Sequence, residues 1–260
     1  MIGLREVAVG VLVATAELYV TNTTVLTCRG GGCLVIDPAV TVAEISALAA
    51  DLAAAGLRPE AGFATHPHWD HLLWTRSLGN VPRYATARAA AAAAARRDSM
   101  LGELQRDAPG HDLSLFARCT PLPPAAAAIP WHGPEATLVT HDGHAPGHSA
   151  VFVAATGTLI AGDMCSDIEI PLLDTDQGDP VGDYRAGLRR LAALPGVRQV
   201  VPGHGTVGDA AEFRRRVAAD LAYLDDLERG ADSNDGRLAV AWLRREHQAQ
   251  RRFLHPAAPC

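Results

Sequence analysis

Four metal-binding side chains fall within one stretch of six residues, and no other feature constrains the fold of this chain as strongly. They are His66, His68, Asp70 and His71. Imidazoles and a carboxylate crowded in this way gain little from burial in a core unless a cation satisfies them. We therefore expect half of a metal site here, with further ligands supplied by distant loops of one rigid scaffold.

The spacing within the stretch predicts two cations rather than one. Pro67 biases His66 toward an extended backbone, so His66 and His68 can point the same way across one intervening residue. Asp70 and His71 follow on the next turn and point elsewhere. A second metal beside the first would bind this second pair.

Three further candidate ligands each adjoin a strand-like run and follow a glycine, which allows close approach of the backbone. Alone, a Gly-Asp or Gly-His pair is more often a turn or a helix cap than a ligand. Their joint occurrence in order along one chain favours ligands at strand ends. The three are His148, Asp163 and His204, in the tripeptides Pro-Gly-His, Ala-Gly-Asp and Pro-Gly-His.

The other histidines are weaker candidates for metal ligands. Of 11 histidines, five occupy the positions above. His144, four residues before His148, is either a residue that orients a ligand or an ordinary turn histidine, and we favour the turn. We expect the remaining five to be surface or hydrogen-bonded histidines: His111, His132, His141, His247 and His255.

The ordered set His-x-His-x-Asp-His, Pro-Gly-His, Gly-Asp and Pro-Gly-His-Gly resembles the metallo-β-lactamase superfamily over about residues 7 to 208. The resemblance implies an α/β fold, the αββα four-layer sandwich, in which two similar halves pack sheet to sheet with helices outside. It also implies a metal site with every ligand position filled. That site has His66, His68 and His148 on one metal, Asp70, His71 and His204 on the other, and Asp163 bridging both.

The same resemblance implies an enzyme, a metal-dependent hydrolase with a binuclear centre of two divalent ions. Zinc is the expected metal, and iron or manganese are alternatives. Adjacent cations lower the pKa of a bound water to about 7 and polarise a substrate carbonyl. Asp163 would hold the metals together, and Asp70 would orient the nucleophile or carry a proton to the leaving group. These two are the expected catalytic residues.

The resemblance also narrows the expected substrate to a part of those used across the superfamily. The bridging Asp163 and the ligand His71 make the chain similar to the glyoxalase II and lactonase branches, so we expect a small carbonyl substrate such as a lactone or thioester. Two features depart from those branches: the chain has no lysine to contact glutathione, and Ser166 stands where lactonases place a tyrosine. The alternative is a mononuclear Fe(II) persulfide dioxygenase of the same superfamily, with iron held by two histidines and one aspartate.

Composition agrees with one large globular unit. A length of 260 residues and 48% hydrophobic content predict a single domain over residues 1–260, with residues 209–260 as a helical extension packed on it. The net charge of -6 argues against nucleic acid as a partner. With no long apolar run and no signal-peptide pattern, we expect a cytoplasmic protein without membrane contact. The C-terminal helices form either a homodimer seam or a pair packed on their own chain.

Two segments and one cysteine complete the candidate features. Residues 98–135 are interpreted as a lid or pocket wall, against the alternative of a surface insertion, and residues 166–182 as a solvated acidic loop. Without an export signal, the five cysteines are expected to be reduced. Cys165, two residues after Asp163, is expected to be a small buried residue rather than a substrate contact.

Hydrophobic periodicity and turn residues predict the remaining organisation. The metal-binding stretch lies between a strand ending at 61–65 and a helix beginning at 72–74. Predicted strands are Val7 to Val13, Tyr19 to Cys28, Cys33 to Ile36, Arg83 to Ala85, Thr137 to Thr140, Val151 to Ala155, Thr158 to Ala161 and Gln199 to Val201. Predicted helices are Val42 to Gly56, Thr86 to Arg106, Asp183 to Leu194, Asp209 to Arg229 and Gly236 to Arg252. In the last two helices, apolar side chains are expected to face inward or toward a partner: Leu221, Leu224, Leu227, Leu238 and Trp242.

Overall fold

The N-terminal half of the chain builds a seven-stranded sheet in a computed structural model that describes residues 2–256. Strands one to four are antiparallel neighbours, and the last three add in parallel. The strands, in both chain and sheet order, are β1 (Ile2–Ala8), β2 (Val11–Thr15), β3 (Asn22–Thr27), β4 (Gly32–Ile36), β5 (Arg58–Phe63), β6 (Arg83–Ala85) and β7 (Thr120–Pro121).

The C-terminal half contributes a second sheet of five strands. These are β8 (Thr137–Thr140), β9 (Ser149–Val153), β10 (Thr158–Gly162), β11 (Gln199–Pro202) and β12 (Gly208–Asp209). Their order in the sheet is β12-β11-β10-β9-β8. β10 and β11 are parallel, and the other neighbouring pairs are antiparallel.

The two sheets pack face to face through side chains that alternate along each strand. On β4, Leu34 and Ile36 belong to the core between the sheets, whereas Cys33 and Val35 belong to the core on the outer face. This alternation is the two-residue period of a strand buried on both faces. The facing residues of the second sheet include Val151, Val153, Ile160 and Val201.

Helices cover both outer faces of the pair of sheets. The first helix begins with a capping box, in which Thr41 and Glu44 satisfy each other's backbone N–H groups. The predicted αββα four-layer sandwich is confirmed. α1 (Val42–Ala54) and α2 (Ala87–Asp107) cover the first sheet, and α3 (Pro180–Ala192), α4 (Ala210–Glu228) and α5 (Ala241–Leu254) cover the second.

Local backbone geometry explains where the predicted elements are wrong. The strand predicted from Val7 to Val13 is two strands, because Gly10 turns the chain with φ of 72°. The strand predicted from Tyr19 starts only at Asn22, since Tyr19 and Val20 both adopt positive φ. No helix begins at residues 72–74, because the chain there is irregular between two short 3-10 helices, Trp69–His71 and Arg76–Leu78.

The C-terminal helices pack on the second sheet, with one difference from the prediction. Leu224 and Leu227 are fully buried as expected, but Leu243 rather than Trp242 enters the core. Trp242 is 38% exposed. The single-domain assignment and the homodimer alternative stay predictions, and Cys260 lies outside the described residues.

Within residues 2–256, every helix is too short or too polar to cross a lipid bilayer. The cytoplasmic location stays a prediction.

Candidate metal centre

The loops that carry the predicted ligands meet at one edge of the sandwich. β4 and β5 run parallel, as do β10 and β11, so the carboxyl ends of each pair leave their sheet on the same side. Main-chain hydrogen bonds join the two sheets there. Ser149 N–H donates to the Thr65 carbonyl over 2.8 Å, and Asn22 N–H donates to the Gly203 carbonyl over 2.7 Å.

A first group of ligand atoms comes from three histidines and one aspartate. His66 Nε2 lies 3.1 Å from His68 Nδ1, which lies 3.0 Å from His144 Nε2. Asp163 Oδ2 completes the group, 3.4 Å from both His66 Nε2 and His144 Nε2. These four atoms lie close enough together to bind one metal ion.

A second group lies on the other side of Asp163. His71 Nε2 is 3.3 Å from His204 Nε2, and Asp70 Oδ2 is 3.4 Å from the first and 3.3 Å from the second. Asp163 reaches this group as well, with Oδ1 3.2 Å from His71 Nε2 and Oδ2 3.2 Å from His204 Nε2. Its carboxylate therefore contacts both ligand groups.

The spacing of these atoms fits divalent cations. Four ligands about 2.0–2.1 Å from a tetrahedral ion lie about 3.3 Å from one another. The separations of 3.0 to 3.4 Å in both groups match that value. Nitrogen atoms of neutral imidazoles carry lone pairs that repel when aimed at one point, and a cation at that point turns the repulsion into binding.

His144, not His148, is the third histidine of the first group. His148 is fully buried, and within residues 2–256 neither of its ring nitrogens has a hydrogen-bond partner. Its ring stacks between His66, at 5.1 Å, and His141, at 4.5 Å. His144 instead turns into the site with φ of 74°, and its Nδ1 donates to the Leu172 carbonyl over 3.0 Å. The structure therefore places His144 among the ligand atoms and His148 behind them, which corrects the expectation from sequence.

The expectation for His141 also fails. Its ring is buried, both of its nitrogens lack a hydrogen-bond partner among the described residues, and burial lowers its pKa to about 3. It serves as the outer member of the stack that supports His66 through His148. Cys165 is buried, as expected, and does not line the cavity at the site.

Asp37 orients two of the ligands, and sequence reasoning missed it. One of its carboxylate oxygens lies 3.1 Å from His71 Nδ1 and accepts the Thr65 hydroxyl over 2.6 Å. That hydroxyl is 3.0 Å from His66 Nδ1. A carboxylate behind an imidazole fixes the ring and its tautomer. The available signal was an aspartate directly after β4, at the sheet edge where the other ligands lie.

His204 is oriented through its other ring nitrogen. His204 Nδ1 lies 2.9 Å from the Tyr19 carbonyl and 3.3 Å from Thr21 Oγ1. The loop around Tyr19, which has φ of 58°, thus holds a ligand from the opposite sheet. Its positive φ brings the carbonyl to the histidine.

Comparison with known families agrees with this geometry. The family model described as the metallo-beta-lactamase superfamily matches residues 16–204. The chain belongs to the metallo-beta-lactamase superfamily. No curated protein matches the sequence.

Solved structures of the superfamily share the fold at low sequence identity. A beta-lactamase domain protein from Burkholderia ambifaria has a TM-score of 0.66 and 21% identity, over 87% of this chain and 76% of that one. The metallo-beta-lactamase family protein TTHA1429 from Thermus thermophilus has a TM-score of 0.65 and 21% identity, over 85% and 81%. TTHA1623, solved in a di-iron-bound form, has a TM-score of 0.57 and 25% identity, over 78% and 96%.

The two ligand groups of this superfamily member differ in their protonation. Burial, and after it the neighbouring His71, lowers the pKa of His66 to about 4. Burial and His144 likewise lower the pKa of His68. Burial alone would also lower the pKa of His71 and His204, but Asp163 and Asp70 raise both well above the ordinary value. His66 and His68 of the first group are thus neutral, whereas His71 and His204 of the second group are imidazolium ions beside carboxylates.

Glu169 is a further carboxylate at the site, where a solvated acidic loop was expected. One of its oxygens lies within 4.8 Å of ligand atoms of Asp163 and His204. Burial raises the pKa of Glu169 to about 7; His204 opposes this rise, and the nearby carboxylates of Asp163 and Asp70 add to it. The prediction for residues 166–182 is therefore wrong at this position.

A cavity of about 980 Å³ opens over both ligand groups. Predicted metal ligands form its floor. Residues between Ser99 and Asp107 of α2 form one wall, and they belong to the segment 98–135 that was predicted to be a lid or pocket wall. Phe116 and Trp131 pack in the cores instead. Trp242 of α5 also lines the cavity and stays out of the core. The lining includes Tyr19, Trp69, Met100, Glu169, Leu172 and Trp242.

A matched pair of variants tests the assignment of His144 over His148. We expect His144→Phe to bind a cation at the first group more than about 100-fold more weakly, because a ligand atom disappears. His148→Phe keeps a ring in the stack and should bind metal as the wild type does. Metal content after dialysis, measured by mass spectrometry on each folded variant, decides between them. Loss of a cation in His148→Phe but not in His144→Phe would reverse the assignment.

Proton release should distinguish the two groups. His71 and His204 carry protons at neutral pH when no cation is bound, so a cation entering the second group must displace about two protons. Its affinity should therefore fall as pH falls, by about 100-fold per pH unit near pH 7. His66 and His68 release none. Calorimetric titration in buffers of different ionisation enthalpy measures the protons, and equal release from both groups would contradict the assignment.

Proposed function

We propose that this chain is a metal-dependent hydrolase with two divalent cations at the site. The observation that carries the proposal is the position of Asp163, whose carboxylate contacts histidines of both ligand groups. The first group has the donors for one cation. The second group supplies a separate set of donors, Asp70, His71 and His204. A carboxylate shared between two such sets is suited to hold two cations side by side.

The cations and the side chains of this site would contribute different parts of the reaction. A pair of cations at this site would supply a nucleophile near neutral pH and polarise a carbonyl oxygen. Burial alone would raise the pKa of Asp70, but His71 and His204 keep it well below its ordinary value. Asp70 lines the cavity as an ionised carboxylate, so it can accept a hydrogen bond from a water molecule beside the substrate, take up the proton which that water loses on attack, and deliver it to the leaving group.

The substrate we propose is a small molecule with an ester-like carbonyl, such as a lactone or thioester. A cavity of about 980 Å³ suits a small organic molecule, and Tyr19 and Trp69 give it an apolar wall. Ser166, at the position of the lactonase tyrosine, instead donates to the His204 carbonyl over 2.8 Å and does not line this cavity. The substrate is therefore positioned by other residues. Independence from nucleic acid and membranes stays a prediction.

The donors suit zinc, with iron or manganese as alternatives. Imidazole nitrogen binds zinc and iron well, and carboxylate oxygen accepts manganese. The similar protein TTHA1623 was solved in a di-iron-bound form, which supports iron as an alternative here. A mononuclear Fe(II) dioxygenase, the competing function, uses two histidines and one aspartate. Such a set would occupy one of the two ligand groups and leave the other without a role, so the geometry favours two cations.

Metal content and activity measured on one sample test this proposal. We expect two zinc-like ions per chain and hydrolysis of at least one compound in a panel of lactones, thioesters, β-lactams and phosphodiesters. His68→Ala and Asp163→Ala should each lose bound metal and more than about 100-fold of activity, because each removes a ligand. His132→Ala, at an exposed position outside the site, is the control and should change neither.

The outcome also separates the two candidate functions. One iron per chain together with oxygen uptake on a persulfide would favour the dioxygenase. Full hydrolytic activity retained by His68→Ala or by Asp163→Ala would show that the proposed ligands do not carry the reaction.

A further inference from the structure

Glu169 lies beside the two ligand groups but belongs to neither. A carboxylate oxygen of Glu169, one of Asp163 and a ring nitrogen of His204 all lie within 4.8 Å of one another. The side chain is half-buried and lines the same cavity as the ligands. Of these two partners, His204 belongs to the second group alone, and Asp163 contacts both groups.

The main chain around Glu169 is held in place by its neighbours. Glu169 N–H donates to Ser166 Oγ over 3.1 Å, and that hydroxyl donates to the His204 carbonyl over 2.8 Å. Arg237 Nη1 donates to the Glu169 carbonyl over 2.7 Å and also pairs with Asp220 at 2.7 Å. The position is thus tied both to the loop of a ligand and to the C-terminal extension.

The side chain of Glu169, in contrast, has no hydrogen bond or ion pair to the described residues, whereas its backbone groups are paired. Among its charged neighbours, His204 attracts the ionised carboxylate, whereas the carboxylates of Asp163 and Asp70 repel it. Carboxylates that converge in a half-buried site are stabilised by a cation between them. The Glu169 carboxylate is thus held at the ligand groups by its paired backbone, and its oxygens are available to a cation there.

We propose that Glu169 is an additional ligand of the second cation, the one bound by Asp70, His71 and His204. This inference rests on the proposed two-metal function. The second position then has three carboxylates, from Asp70, Asp163 and Glu169, whereas the first has three imidazoles and one carboxylate. Hard oxygen donors favour manganese over zinc relative to imidazole donors. The second position therefore accepts manganese more readily than the first does.

Titration of the metal-free full chain with Mn²⁺ and, separately, Zn²⁺ tests this. Glu169→Gln keeps the size of the side chain and removes its charge. We expect the variant to bind Mn²⁺ at the second position at least about 10-fold more weakly, with the first position unchanged. Asp176→Asn is the matched control, because Asp176 lies on the same segment and pairs with Arg96. Its Mn²⁺ affinity at both positions should equal that of the wild type.

A spectroscopic measurement on the wild-type chain avoids any effect of substitution on folding. The ligands of both groups are histidines and aspartates, and Glu169 is the one glutamate in the groups formed by the described residues. Glutamate labelled with ¹³C at the side-chain carboxyl should therefore give a ¹³C hyperfine coupling to bound Mn²⁺ that an unlabelled sample lacks. The coupling should disappear in Glu169→Gln.

The results distinguish this inference from the function on which it rests. Unchanged Mn²⁺ affinity in a folded Glu169→Gln, or no ¹³C coupling in the loaded wild type, overturns the role of Glu169 and leaves a two-metal hydrolase intact. Uptake of a single cation by the wild type, with His71→Ala binding as many ions as the wild type, would instead contradict the two-metal site itself.

Discussion

The Asp163 carboxylate is the contact on which the whole site depends. It sits 6% exposed at the end of β10 and lies within 3.4 Å of four imidazoles, two from the first sheet and two from the second. Such burial would raise the pKa of a lone carboxyl, yet His204 and His71 keep the pKa of Asp163 well below its ordinary value. The two halves of the sandwich therefore meet around a negative charge, which is what a pair of cations requires.

The residues outside the ligand groups explain how that charge is held. Asp37 fixes His71 directly and His66 through Thr65, all at the end of the first sheet. On the second sheet, Arg216 donates to the Thr206 carbonyl over 2.8 Å and so holds the loop of His204. Arg216 belongs to α4, so the C-terminal extension supports the site from behind. Precise placement of ligands thus comes from polar contacts behind them on both sheets.

Sequence reasoning predicted the sandwich and most of the cluster because both depend on local signals. A short run of apolar residues, as on β4, and crowded ligands, as at His66 to His71, are visible in a single sequence. The roles of His144 and His148 were reversed because the likeness of two Pro-Gly-His tripeptides hid a difference in backbone, namely the positive φ of His144. Asp37 and Glu169 were missed because their roles come from contacts between distant segments, which composition and spacing do not encode.

Anomalous X-ray diffraction from crystals grown with Zn²⁺ tests the two-cation centre most directly. The account predicts two peaks about 3.5–4 Å apart on either side of Asp163. One peak should lie among His66, His68 and His144, and the other should lie beside His71 and His204. A single peak, or metal bound by His148 in place of His144, would contradict the account.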